Sequence, residues 1–206
     1  MPNALRLYGI TDVEHRAHTN GSDGTELLAV RDLAAIVSTA EYSATPPAGE
    51  VIEQYRRVVD DVFSKAPVLP APVGTVFRSR ETLTRWLELH YVTLSEALTF
   101  VADRAEARVH VARPTGKADE RETGSDLAAV AAEAFRTLRR HSVAAVPLKA
   151  EHITGIVLSS AFLLDKELWN DFAAAVDDQQ KHNPRLAFEL TGPWPPFDFV
   201  RMQFGG

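Results

Sequence analysis

The order of strand and helix patterns between residues 105 and 191 constrains the fold more than any other feature. Alternating apolar residues predict strands, and apolar residues three and four apart predict helices. The predicted elements run strand, helix, strand, strand, helix, strand, at 105–113, 125–141, 143–148, 153–163, 165–183 and 186–190. This is the order of a ferredoxin-like domain, so we expect an antiparallel sheet with both helices on one face.

The first half of the chain follows a looser version of the same plan. Two short strands pair as a hairpin around Arg31-Asp32, and one long helix begins at the N-cap Ser79 and runs to Arg104. We therefore predict an α+β protein of two ferredoxin-like domains, over 1–104 and 105–206, of which the N-terminal one is modified. Antiparallel sheets with helices on one face are expected in both.

Composition excludes several classes of function. The 206 residues carry a net charge of −6, which argues against a nucleic-acid-binding face. The sequence contains no cysteine, so disulfide bonds and thiolate chemistry are excluded. The first ten residues do not resemble a signal peptide, and the longest apolar stretch, over 153–164, is too short to span a bilayer. We expect a soluble, cytoplasmic protein with no membrane span.

No pattern in the chain predicts an active site. The phosphate-binding loop, the dinucleotide fingerprint and the nucleophile elbow are all absent from the sequence. His15 and His18 are three residues apart but lack an obvious third metal ligand. His90 lies on the apolar stripe of the long helix, where a core histidine is more common than a catalytic base. We predict no metal, no cofactor and no enzymatic activity.

A proline-rich aromatic segment near the C-terminus is the most conspicuous part of the sequence. The prolines restrict the backbone to extended geometry and hold the aromatic rings at fixed spacing. We call this segment the arm; its residues of interest are Gly192, Pro193, Trp194, Pro195, Pro196, Phe197 and Phe199. It is interpreted either as structural, with Trp194 at least half buried and Phe197 or Phe199 on the helices of the second domain, or as a partner-binding surface.

The arm also carries a family resemblance. Residues 192–200 resemble the C-terminal signature of the gas vesicle proteins of the GvpF/GvpL family, and two further blocks, 32–38 and 68–77, resemble that family in the same order. Tyr8-Gly9-Ile10 precedes the first of these blocks. The resemblance implies two joined ferredoxin-like domains and a non-enzymatic part in gas vesicle assembly. It implies as partners the hydrophobic shell protein and other accessory gas vesicle proteins.

One alternative remains open at the level of sequence. Tandem ferredoxin-like domains also serve small-molecule-binding proteins and cofactor-free enzymes, because one fold supports many functions. In that case His90 is the best candidate catalytic residue. A pocket with convergent polar groups would favour this alternative, and an exposed apolar patch or groove would favour a binding protein.

Overall fold

The computed structural model describes residues 4–14, 24–42, 47–113, 124–149 and 155–200. His15 and His18 lie outside the described residues. The chain divides into two compact units. The second unit is Asp103–Trp194, and the first contains the described residues before it together with those from Pro195 onward. The boundary between Ala102 and Asp103 lies next to the predicted boundary at Arg104. The residues of the arm from Pro195 onward belong to the first unit, whereas the prediction assigns the whole arm to the second domain.

The second unit has ferredoxin-like topology. Its elements are β6 (Arg104–Ala112), α4 (Gly124–Arg139), β7 (Ala144–Pro147), β8 (Ile156–Asp165), a 3₁₀ turn (Lys166–Leu168), α5 (Trp169–His182) and β9 (Ala187–Trp194). The strands lie in the order β7-β8-β6-β9, and all neighbouring pairs are antiparallel. This confirms the predicted order of elements along the chain and the predicted antiparallel sheet.

Both helices of the second unit pack on one face of its sheet, as predicted. Alternate residues of β6 point to this face, and they meet apolar residues of α4 and α5 in one core: Ala107, Val109, Val111, Leu127, Ala131, Leu138, Phe172 and Val176. Phe162 of β8 lies at the centre, with its ring 5.2 Å from that of Phe172. Burial of a phenylalanine ring removes a large apolar surface from water, which favours the folded state. The core around Phe162 therefore supplies much of the stability of the second unit.

The first unit contains the strands β1 (Ala4–Asp12), β2 (Glu26–Val30), β3 (Leu33–Ala40), β4 (Leu69–Pro70) and β5 (Val76–Phe77), and the helices α1 (Gly49–Phe63), α2 (Arg80–Leu89) and α3 (Tyr91–Val101). The sheet order is β2-β3-β1-β4, and β5 also pairs with β1. The pairing of Val30 with Leu33 confirms the predicted hairpin at Arg31-Asp32.

Helices cover both faces of the first sheet, which differs from the prediction of helices on one face. Tyr8 and Ile36 pack with α1, whereas Leu7, Ala35 and Val37, which alternate with them along β1 and β3, pack with α2 and α3. The central strands are therefore apolar on both sides, and the period-two pattern that distinguishes a one-sided sheet is lost. This is the modification of the ferredoxin-like plan in the N-terminal unit.

The predicted long helix is two helices, because the backbone departs from helical geometry at His90. This residue has φ −101° and ψ 10°. Its imidazole Nδ1 bonds the carbonyl oxygen of Trp86 at 2.8 Å, and the same oxygen accepts the backbone N–H of His90 at 3.1 Å. Side chains that bond the carbonyl four residues back are a known cause of helix bending. Ser79 is the N-cap, as predicted, and its hydroxyl accepts the N–H of Thr82.

Candidate functional site

The first part of the arm is the end of an edge strand. β9 continues through Trp194, which pairs with Glu106, and the register shifts between Glu106 and Arg108. Gly192 and Pro193 lie opposite this shift, where a proline without an N–H is tolerated. The strand is therefore longer than the predicted 186–190. Trp194 is partly buried, and its indole Nε1 donates to the hydroxyl of Thr191 at 3.2 Å.

The second part of the arm packs on the first unit. Pro195 and Pro196 are buried, and Phe197 lies in the cluster that holds Tyr8, Tyr55 and α1. Val200 packs against the other core cluster of the first unit. The sequence predicts that Phe197 or Phe199 contacts the helices of the second domain, whereas Phe197 lies in the cluster around Tyr55 in the first unit. The sequence could show that the aromatic residues must be covered, but not which helix covers them.

Two glycines in the segments that carry the resemblance sit where backbone approaches closely. A β-carbon on Gly9 would lie 2.8 Å from the carbonyl oxygen of Leu69 in the neighbouring strand. A β-carbon on Gly192 would lie 2.8 Å from the carbonyl oxygen of Glu106 and 2.8 Å from the ring of Trp169. Both contacts are closer than any other residue type tolerates. These positions are packing requirements of the two sheets.

His90 is engaged within its own helix pair. Besides its bond to the Trp86 carbonyl, its ring stacks on the Trp86 ring, with centroids 4.7 Å apart. The described residues contain no group of three histidine, aspartate or glutamate side chains placed to hold a metal ion. Nothing in this geometry gives His90 a substrate-facing role, so the structure adds no support to a catalytic histidine.

A polar row on β6 is a feature that sequence reasoning missed. Glu106 is fully buried, and the Nε of Arg108 donates to its Oε1 at 2.7 Å. His110 Nδ1 and Ser159 Oγ are 2.8 Å apart on the neighbouring strands. The strand prediction rested on the apolar residues between these positions. Charged and polar residues at every second position of β6 were the available signal.

The second unit contains a cleft of about 310 Å³ between the end of α4 and the start of α5. Its apolar lining is Val143, Leu168 and Phe172, of which Val143 and Leu168 are each 44% exposed. Its polar lining includes Arg140, His141, Asp165 and Asp171. Asp165 also accepts from the Nε of Arg104 at 3.0 Å. An apolar floor with a polar rim is the composition typical of a protein contact site.

The helix pair α2–α3 exposes a second surface. We call it the outer face; it consists of Thr82, Arg85, Leu89, Val92, Glu96 and Thr99, all of them exposed or partly exposed. Leu89 is 79% and Val92 64% exposed, the highest values among the large apolar side chains of the described residues. At the start of α3 the Tyr91 hydroxyl donates to Asp32, and the Arg31 guanidinium lies 4.6 Å from the Tyr91 ring centre. The hydrogen bond from Tyr91 lowers the pKa of Asp32.

Comparison with solved structures identifies the fold. The crystal structure of the gas vesicle protein GvpF from Anabaena sp. superposes with a TM-score of 0.79 at 17% identity, over 98% of this chain and 99% of that one. The GvpF structure from Microcystis aeruginosa gives a TM-score of 0.73 at 13% identity, over 97% and 100%. The two antiparallel sheets and their helices thus form tandem ferredoxin-like domains. None of the described helices is long and apolar enough to cross a bilayer.

Comparison of sequences identifies the family. Gas vesicle protein F2 of Halobacterium salinarum is 26% identical over 210 residues, which cover 98% of this chain and 94% of the relative. Gas vesicle protein F of Haloferax mediterranei is 23% identical over 215 residues, covering 100% and 97%. The profile of the family described as gas vesicle synthesis protein GvpL/GvpF matches residues 4–126 and 110–201. Because these matches span nearly the whole sequence, the chain belongs to the GvpL/GvpF family of gas vesicle synthesis proteins.

Proposed function

We propose that this protein is an accessory or minor structural component in gas vesicle assembly, and that it acts by binding the hydrophobic shell protein in the cytoplasm. The observation that carries the proposal is the match of the GvpL/GvpF profile over both units. Membership of this family gives the chain a role related to gas vesicles. The nucleating or chaperoning step, and the association with other accessory gas vesicle proteins, are the parts that we propose.

The physical reason for such a partner lies in the chemistry of a shell that repels water. A shell subunit with an apolar surface aggregates unless a partner covers that surface until the subunit joins the wall. A binding partner therefore needs apolar contact area that is itself accessible, with a polar rim that keeps the partner in solution.

The cleft of the second unit meets this requirement, and we place the shell-protein contact there. Leu168 and Val143 offer exposed apolar surface beside the buried ring of Phe172. Arg140 and Asp171 in the lining provide opposite charges that orient a bound segment. We expect one apolar residue of the shell protein to fill the cleft, because a few buried residues supply most of the binding energy of an interface.

A co-purification experiment tests the proposal. The shell protein is co-expressed with the tagged wild-type chain, with Leu168→Asp, and with the control Val73→Asp, which places the same charge on a first-unit residue of similar exposure, 41% against 44%. We expect the wild type and Val73→Asp to retain the shell protein and Leu168→Asp to lose it. Failure of the wild type to retain any shell protein would refute the function. Equal retention by both variants would refute the placement in the cleft alone.

A further inference from the structure

The outer face of α2–α3 has the residue spacing of a coiled-coil seam. Successive members of the outer face are three, four, three, four and three residues apart, which is the alternation of the a and d positions in a heptad repeat. The apolar residues that hold these helices to their own unit lie on a separate stripe that includes Leu83, Leu87, Leu94 and Leu98. The helix pair therefore has one face for its own core and a second face of regular spacing that is open to solvent.

The two ends of the outer face are complementary to each other. Although the backbone of His90 departs from helical geometry, the N–H of His90 bonds the carbonyl of Trp86 and the N–H of Leu94 bonds the carbonyl of His90, so the four-residue spacing continues from α2 into α3. When two copies of the α2–α3 pair lie antiparallel about a two-fold axis near His90 and Tyr91, Leu89 of each copy faces Val92 of the other. The same axis places Arg85 of each copy opposite Glu96 of the other, so two ion pairs flank an apolar centre. Thr82 then faces Thr99. A two-fold contact requires a surface that is complementary to itself, and the outer face satisfies this condition in one register.

The charges select this arrangement over a parallel one. Within the described ranges, neither Arg85 nor Glu96 forms an ion pair. A parallel pair of helices would place Arg85 against Arg85 and Glu96 against Glu96, and like charges in contact oppose association. In the antiparallel register each of these charges meets its opposite.

We propose that two copies of this chain associate through the outer face as an antiparallel helix pair, with Leu89 and Val92 at the centre and Arg85–Glu96 ion pairs on either side. The proposal is independent of the shell-protein contact, which we place in the other unit. The seam is short, and contacts of small area are weak. The dimer should therefore form in a concentration-dependent equilibrium.

Sedimentation velocity of the full chain, from about 1 to about 200 µM, tests this proposal over the range expected for a small interface. We expect the wild type to pass from monomer to dimer across the series and Leu89→Asp to stay monomeric. Arg85→Glu and Glu96→Arg should each weaken the dimer about tenfold or more, because each replaces two attractions by two repulsions. The double variant Arg85→Glu/Glu96→Arg should restore the wild-type dissociation constant.

Controls separate this result from unfolding and from a change in net charge. Arg139→Glu changes the net charge as Arg85→Glu does, but it lies in the second unit, and it should leave the dimer unchanged. Circular dichroism should give the same helix content for every variant. A wild type that stays monomeric at all concentrations, or a dimer that survives Leu89→Asp, would overturn the proposal. Failure of the double variant to restore the dimer would overturn the antiparallel register.

Discussion

The ring of Phe197 lies against the ring of Tyr55, with their centroids 6.4 Å apart and their planes tilted by 38°. The hydroxyl of Tyr55 donates to the carbonyl oxygen of Ala71 at 2.6 Å, and this hydrogen bond fixes the position of the ring. Burial raises the pKa of Tyr55 far above its ordinary range. The arm thus supplies a side chain to the core around α1. This contact makes the structural interpretation of the arm testable.

Replacing Phe197 by alanine should destabilise the first unit. A fully buried phenylalanine costs about 3–5 kcal/mol when truncated to alanine, and for the partly buried Phe197 we expect a loss of about 2 kcal/mol in the free energy of unfolding. Urea denaturation measures this loss. Phe100→Ala, at a phenylalanine that is 42% exposed, is the matched control and should stay within about 0.5 kcal/mol of the wild type. Equal effects of the two changes would contradict the structural interpretation.

Gly192→Ala should be strongly destabilising, because this position combines two constraints. Its φ of +127° is unfavourable for any residue with a β-carbon, and that atom would lie 2.8 Å from both the Glu106 carbonyl oxygen and the Trp169 ring. Gly155 has a φ of +90°, but a β-carbon there would meet nothing within 4 Å, so Gly155→Ala isolates the backbone cost. We expect about 1 kcal/mol for Gly155→Ala and at least about 2 kcal/mol more for Gly192→Ala, measured as shifts in the urea midpoint.

The hydrogen bond from Tyr91 to Asp32 should make part of the stability depend on pH. It holds the pKa of Asp32 below the unfolded value of about 4. A carboxyl group whose pKa is lower in the folded state than in the unfolded state stabilises the folded protein at pH values above the unfolded-state pKa. This stabilisation is lost as the pH falls through the folded-state pKa. Tyr91→Phe should therefore destabilise the protein at pH 7 and have a progressively smaller effect in acid, as measured by urea denaturation in steps down to about pH 2.

A second tyrosine provides the control for this pH dependence. Tyr8 forms a hydrogen bond with the Ser38 hydroxyl at 2.9 Å, and no carboxylate takes part in this hydrogen bond. Tyr8→Phe should therefore destabilise the protein by the same amount at every pH in the series. A loss in Tyr91→Phe that did not diminish with acid would show that the Asp32 carboxylate is not the group responsible.

Removing the cap of α2 should have a moderate effect. The Ser79 hydroxyl accepts the N–H of Thr82 at 3.2 Å, and Ser79→Ala should cost about 1 kcal/mol of unfolding free energy. Ser79→Asp supplies another oxygen acceptor at the positive end of the helix and should restore most of the loss. If Ser79→Asp were as unstable as Ser79→Ala in thermal or urea unfolding, loss of the cap would not be the cause.

The second unit was the more predictable half because its signals are local. Each of its strands alternates or is short and apolar, and its helices pack on a single face, so the elements and their order follow from residue spacing. In the first unit Tyr8 and Ile36 face one helix layer while their neighbours face another, and the alternation that marks a one-sided sheet disappears.

The remaining differences arise from contacts between residues that are distant in sequence, or from side-chain geometry. The backbone restrictions of proline argued against a strand at Pro193, but the register shift beside Glu106 accommodates it. The break at His90 depends on how its ring lies on Trp86, which helical periodicity does not encode. The spacing of the outer face is present in the sequence, but only the exposure of Leu89 and Val92 distinguishes it from the core stripe.

The return of the arm to the first unit has a consequence for the order in which the protein matures on the ribosome. Phe197 and Val200 complete the two core clusters of the first unit, yet they are synthesised only after all of Asp103–Trp194. Domains that fold during translation ordinarily do so from the N-terminus onward. The contacts of Phe197 with Tyr55 and of Val200 with its cluster can therefore form only after the second unit has been synthesised, so the core of the half that is made first is the last to be completed.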